Sequence, residues 1–281
     1  MILTSHGMVN SSSNFNGYYQ AIIDYAKSQA YVLPTEAQQI VQNDVVNNLV
    51  AQGIWDDLDV FYVFANNGSS DFGRINWINP GTFNAVETST GLQTILPTWA
   101  SNQGYTGTQL GFSYGFLRTF YNALTGTNFS QTDGSMFVYT YNNLALPNGK
   151  DVGFKDNLVD FRPDWGSINT RNVVGNATYS LISTSPLPFS SSVGSSIGFS
   201  HVARISNSQI QFFKNGTLLN TANSNLATVD VVTLELYFLS GGASGSGGHS
   251  KRTVSVGGAG ASISTKASEF SSIITNYMNS L

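Results

Sequence analysis

From Asp59 to about Ser262 the sequence is broken into short apolar or alternating runs, separated by Gly, Asn, Ser and Pro, with no helical stripe between them. The clearest runs are 59–65 ("DVFYVFA"), 135–141, 193–205, 229–239 and 253–256. Successive strands without crossover helices between them pair antiparallel, so this region is predicted to form an antiparallel sandwich or barrel. One turn is specified more sharply than the rest. Asn215-Gly216 lies between Phe212-Phe213 and Leu218-Leu219, and Asn-Gly between apolar runs suits the two positive φ angles of a type I′ turn. Residues 209–213 and 217–221 are therefore predicted to pair as a hairpin. Lys214 beside that turn reads as a solvated edge charge.

The two ends of the chain follow a different period. Phe15, Tyr18, Ile22, Ile23, Ala26 and Ala30 recur at helical spacing, which predicts an amphipathic helix over 15–30. After Pro34, Thr35 and Gln38 form a capping-box pattern. Ala37, Ile40, Val41, Val45, Leu49 and Val50 make the next stripe, and Gly53-Ile54 reads as a Schellman ending. A last helix is expected over 264–280, capped by Ser264 or Thr265, with Phe270, Ile273, Ile274 and Tyr277 on one face. The domain reading is a tail and helical unit over 1–58 and a β-sandwich over 59–281, closed by that helix. Helices this short need a partner for their apolar faces, and the C-terminal helix is the natural one.

Charged residues make up 10% of the 281 and the net charge is −4, against roughly 25% charged in ordinary soluble domains. Asn, Ser, Thr, Gln and Gly replace the missing charge, as in extracellular binding modules and virion proteins. No basic patch suggests nucleic acid; the pair Lys251-Arg252 reads as a solvated loop charge. There is no cysteine, hence no disulfide or thiolate site. The first residues carry no basic and apolar leader pattern, and no apolar run reaches the ~18 residues of a spanning helix. A surface-like composition without an export signal suggests a protein made in a host cytoplasm and released within a virus particle.

Several stretches add a resemblance. The run "AIIDYAKSQAYVLPTEAQQIVQNDVVNNLVAQGIWDDLDVFYVFANNGSSDFGRINWINP" resembles the N-terminal module of phage virion structural proteins of the type found in marine and Bacteroidetes-type phages. It has a helix, a Leu-Pro break, a second helix, the "GIWDDLDVFYVFA" passage and the Asn76-Trp77 box, where Ile78 stands at a position often basic in that family. "GYTGT" at 104–108, "FFKNGTLL" and the closing "RTVSVGGAGASIS" resemble the concanavalin A-like (LamG/jelly-roll) domain that follows in those proteins. The likeness is good at both ends and poor over 110–200. It implies a mainly β, concanavalin A-like jelly-roll sandwich in a tail or head appendage or decoration. The partners it implies are other virion proteins and copies of the chain itself, with host surface glycans as the external ligand, and neither nucleic acid nor membrane.

The candidate chemical residues are few. Asp56, Asp57 and Asp59 are the densest carboxylate cluster and the candidates for a hard cation such as Ca²⁺, but alternation along a strand directs them apart. Otherwise no cofactor is expected. A retaining glycosidase of this fold needs two carboxylates about 5–5.5 Å apart, and the strand "VVTLELYFL" offers only Glu235, read as a surface or edge residue. His6, His201 and His249 have no metal-ligand spacing, and no nucleophile elbow is present. A non-enzymatic protein is expected; a cell-surface or secreted lectin-like adhesin is the alternative, with a glycan-degrading enzyme last. Sugar sites use aromatic faces, and Trp165, Trp99, Tyr105 and Tyr179, in or beside loops, are the carbohydrate-binding candidates. Trp165 comes first because Pro163, Asp164 and Gly166 mark a loop tip. Surplus apolar helix surface suggests a homo-oligomer.

Overall fold

The computed structural model describes residues 15–123, 126–155, 166–181, 189–223, 235–241 and 248–281. Two antiparallel sheets face one another. The first runs Thr217–Asn223 (β14), Gln209–Lys214 (β13), Gly198–Ser206 (β12), Gly134–Thr140 (β7), Thr253–Gly260 (β16), Gly104–Thr106 (β4) and Thr98–Ala100 (β3), and Leu58–Val63 (β1) also pairs with β16. The second runs Phe189–Ser192 (β11), Asn176–Leu181 (β10), Gly166–Asn169 (β9), Val152–Lys155 (β8), Glu235–Phe238 (β15), Ser113–Asn122 (β6) and Val86–Thr90 (β2), and Thr108–Leu110 (β5) also pairs with β6. Strands distant in sequence lie side by side, such as β12 with β7 and β15 with β8. The chain is mainly β, a concanavalin A-like jelly-roll sandwich.

A helical layer covers the outer face of the first sheet. It comprises α1 (Gly17–Ser28), α2 (Glu36–Ala51) and α4 (Ala267–Asn279), with a one-turn α3 (Ser70–Gly73) between β1 and β2. The first sheet thus has a core on each side, which explains the unbroken apolar run of β1. Val60, Tyr62 and Phe64 enter the core between the sheets. Phe61, Val63 and Ala65 enter the core beneath the helices, with Phe137, Phe199 and Phe270. A strand buried on one face alternates; one buried on both does not. Each aromatic ring in these cores contributes about 1.5–3 kcal/mol by leaving water.

The helices form where the sequence places them, but their faces are set by the third layer. Asn16 caps α1 through the Tyr18 N–H, and its buried stripe is Tyr19, Ile22, Ile23 and Ala26. Tyr18, assigned to that stripe from the sequence, is 48% exposed. In α2 the Thr35 hydroxyl accepts from the Gln38 N–H as expected, while the Gln38 side chain turns away to Asn102 and Asn67. Ile40 and Val50 are exposed and Gln42 is fully buried. Gln42 accepts from the Tyr19 hydroxyl at 2.7 Å and donates to Tyr277 at 3.0 Å, and Tyr277 donates to the Ala65 carbonyl at 2.5 Å. This polar chain ties α1, α2 and α4 to the sheet, so part of the neutral polar composition works inside the protein. Gly53 at φ 63 and the Ile54 N–H to Leu49 O bond end α2 as the sequence predicts.

Other local readings change. α4 starts at Ala267 after a 3-10 turn, Ser264–Lys266, without a side-chain cap. Residues 193–197 lead into β12 rather than belonging to it, and 229–234 lie outside the described residues, leaving β15 at Glu235–Phe238. β16 extends through Gly257 and Gly258. A Cβ at Gly258 would lie 2.2 Å from the Val60 carbonyl, so only glycine lets β1 and β16 approach so closely.

The 209–221 hairpin is present, with Asn215 at φ 50 and Gly216 at φ 78. Phe212 lies in the inter-sheet core and Phe213 faces outward, stacked on His201 at 5.2 Å. Both are buried, because the start of α4 covers the outer one. Lys214 is not a solvated edge charge. Its ammonium donates to Ser196 O at 2.9 Å and Ser200 Oγ at 3.2 Å. Desolvation pulls its pKa down to about 7, with Asp151 opposing and Arg252 reinforcing the shift. A Cβ at Gly216 would stand 2.8 Å from Ser268 Cα. Gly216→Val is therefore expected to cost at least the roughly 1–3 kcal/mol of backbone strain, measured as a lower urea midpoint. An unchanged midpoint would mean that the turn does not need positive φ.

Candidate functional site

Most of the residues singled out from the sequence are structural. Tyr105 on β4 is fully buried and its hydroxyl donates to Glu87 at 2.8 Å, burial raising its pKa. Tyr179 on β10 is stacked on Phe212 at 4.4 Å, and its hydroxyl accepts from Asn220. Neither presents a face to a ligand; both lie on strands and point into the inter-sheet core. Trp99 on β3 is half-buried, packs on the same core and donates its indole N–H to Phe64 O at 2.9 Å. Trp165 lies outside the described residues, as does His6.

The charged residues read as solvated are mostly buried in pairs. Glu235 is 5% exposed and bound by Arg118 through two hydrogen bonds of 2.6 and 2.9 Å. It is not a surface residue, because β15 lies between β6 and β8. Arg252 is fully buried on Asp151, whereas Lys251 is exposed. His201 is fully buried, and His249 stacks on Tyr114 at 4.0 Å.

The three aspartates do not converge on one point, with Asp56 and Asp57 on the 3-10 turn Trp55–Asp57 and Asp59 on β1. Asp57 pairs with Lys266 at 2.7 Å. Asp59 accepts from the Tyr121 hydroxyl and from the backbone N–H groups of Thr127, Asn128 and Phe129 at 2.7–3.0 Å. Asp56 is exposed and forms no side-chain hydrogen bond or ion pair among the described residues. No three His, Cys, Asp or Glu groups converge as metal ligands among the described residues.

Asp56 and Asp59 do share a cleft of about 410 Å³, where the helical layer meets the sandwich. Tyr18 and Trp55 form one wall, their rings 5.3 Å apart. Phe83 and Tyr121 form another, in edge-to-face contact at 5.7 Å. Trp55 and Tyr121 are buried, and the rings that reach solvent are Tyr18 and Phe83, at 48% and 38% exposure. Phe83 is held at φ 58, and its carbonyl accepts from the Tyr62 hydroxyl at 2.5 Å. Such a conformation costs a bulky residue energy and persists where the surroundings enforce it. Asn79 and Asn128 also line the cleft, and Asn128 is fixed by bonds to Asp56 O and Leu58 O. The cleft therefore combines apolar ring surface, amides and one unengaged carboxylate.

A larger groove of about 980 Å³ runs along the outer face of β12, β13 and β14 at the start of α4. Its aromatic, Phe213, is buried against His201, and its carboxylate, Asp133, is engaged by the Ser262 N–H. It offers no exposed ring and is the weaker candidate.

The sequence reading missed Tyr18 and Phe83. A signal existed for Tyr18: Tyr19, Ile22, Ile23 and Ala26 fit the i, i+3, i+4, i+7 spacing, so Tyr18 falls off the buried stripe. Nothing in the sequence marked Phe83.

No family model and no curated protein matches this chain. Among solved structures, a mutant of Trypanosoma rangeli sialidase displaying trans-sialidase activity is similar over 85% of this chain and 39% of that one, at TM-score 0.53 and 10% identity. A structure described as a receptor binding domain is similar over 79% of this chain and 52% of that one, at TM-score 0.51 and 13% identity. The chain thus spans about two fifths and about half of the length of these structures. At such identities the likeness is one of fold.

Proposed function

We propose that the chain is a non-enzymatic, lectin-like module that binds host surface glycans from a virion tail or head appendage, alongside copies of itself and other virion proteins. The observation that carries the glycan reading is the cleft. Two exposed rings, Tyr18 and Phe83, stand beside Asn79, Asn128 and the unengaged Asp56. Sugars present apolar C–H faces and hydroxyl edges, and a cleft of rings and polar groups meets both. The non-enzymatic reading is supported by Asp59, whose four hydrogen bonds leave Asp56 as the unengaged carboxylate there. The virion reading rests on the resemblance of the two ends and on the low charge.

Tyr18→Ala tests the glycan reading on a glycan array. One exposed ring contributes about 0.5–1.5 kcal/mol, so affinity is expected to fall roughly 2–10-fold. Stability is expected to change by under about 0.5 kcal/mol, since the residue lies outside the core. An array signal indifferent to Tyr18→Ala would remove the cleft from the account. For the virion reading, mass spectrometry of purified particles decides: absence of the chain ends it.

A further inference from the structure

We infer that the cleft prefers a hexosamine with a free, protonated amine over N-acetylated, neutral or acidic sugars; the inference rests on the glycan-binding reading above. Two carboxylates, Asp56 and Asp59, line the cleft, and no Lys, Arg or His lines it among the described residues. Lys266, which pairs with the neighbouring Asp57, is engaged by that carboxylate and by Gly53 O. Asp59 is fixed by its four donors. Asp56 is exposed and has no partner among the described residues, so its oxygens are open to a ligand donor. The cleft is negative and walled by ring faces.

Each of these features favours the same group. An ammonium gains a charge-assisted hydrogen bond to a carboxylate and is drawn to the face of an aromatic ring. The pyranose that carries it offers a C–H face to Tyr18 or Phe83. An N-acetyl group removes the charge and adds bulk. A uronic or sialic acid would bring a third negative charge into a cleft that holds two. The fold likeness to a sialidase therefore does not extend to the charge of the ligand that this cleft suits.

The test is calorimetry on the full chain with three probes: a glucosamine tetramer, an N-acetylglucosamine tetramer and a galacturonic acid tetramer. It is run at about pH 6, where a carboxylate is ionised and an amine protonated. The glucosamine tetramer is expected to bind on the order of tenfold more tightly than its acetylated form. Asp56→Asn is expected to erase that ratio while leaving the melting temperature unchanged, and raising salt to about 0.5 M to narrow it. Binding that needs Tyr18 yet is equal for the two hexosamine tetramers, or stronger for galacturonate, overturns the amine preference and leaves the glycan reading in place. No binding of the glucosamine tetramer also overturns it; the array with Tyr18→Ala then decides the glycan reading separately.

Discussion

Arg252→Met is expected to destabilise the protein by about 3–5 kcal/mol, because it leaves a buried carboxylate without its cation. Both side chains of the Arg252–Asp151 pair are 0% exposed. Arg252 Nη1 donates to the two Asp151 oxygens at 3.0 and 2.9 Å, its Nε donates to Leu144 O at 2.7 Å, and its Nη2 donates to Arg171 O. Asp151 further accepts from the Ser250 hydroxyl at 2.5 Å and from the Thr170 N–H and hydroxyl at 2.8 and 2.7 Å. The pair therefore knots segments near 144, 151, 170 and 250 together at the end of the sandwich. Methionine replaces only the unbranched stem of arginine and satisfies none of these acceptors. The urea midpoint should drop accordingly, with an unchanged slope if the native state stays compact. A loss below about 1 kcal/mol would show that water reaches Asp151 and that the site is not a dry pair.

Acid is expected to weaken the fold through His201. The ring is fully buried and stacked on Phe213, neither nitrogen has a partner among the described residues, and burial lowers its pKa from 6.5 to about 3. The folded state therefore holds the neutral ring, and the unfolded chain binds the proton first. The stabilisation is complete above about pH 6.5 and is lost progressively as pH falls toward 3. At about 1.36 kcal/mol for each tenfold change in acidity, the limit is roughly 5 kcal/mol. His201→Phe keeps a ring against Phe213 and removes the titration. Urea unfolding at a series of pH values from about 7 to 3.5 should show a steep loss for the native chain and a much shallower one for this variant. Parallel curves would place the acid sensitivity elsewhere in the fold.

The contrast between neighbouring residues shows where sequence reasoning stops. Lys251 and Arg252 are alike in sequence, yet one is exposed and the other is fully buried. Tyr18 and Tyr19 are alike as well; one forms the wall of a cleft and the other donates to a buried glutamine. In each pair the side that faces inward is fixed by a partner far along the chain: Asp151 is 101 residues from Arg252, and Gln42 is 23 from Tyr19. The candidate site suffers the same limit. Tyr18, Asp56, Phe83 and Asn128 come from four separate segments and meet only where the helical layer abuts the sandwich.

What the sequence determined by itself is local. The Asn215-Gly216 turn, the Thr35 cap, the Gly53-Ile54 ending and the short apolar or alternating runs from Asp59 onward are each legible within a few residues. These windows were enough for a mainly β sandwich flanked by helices. Only the tertiary structure decided that the first sheet is covered on both faces, which buries Phe213 as well as Phe212 and encloses His201 and Arg252. The reason is physical: backbone angles depend on adjacent residues, whereas burial and charge pairing depend on which distant surface arrives, and one chain read alone carries no record of that distance.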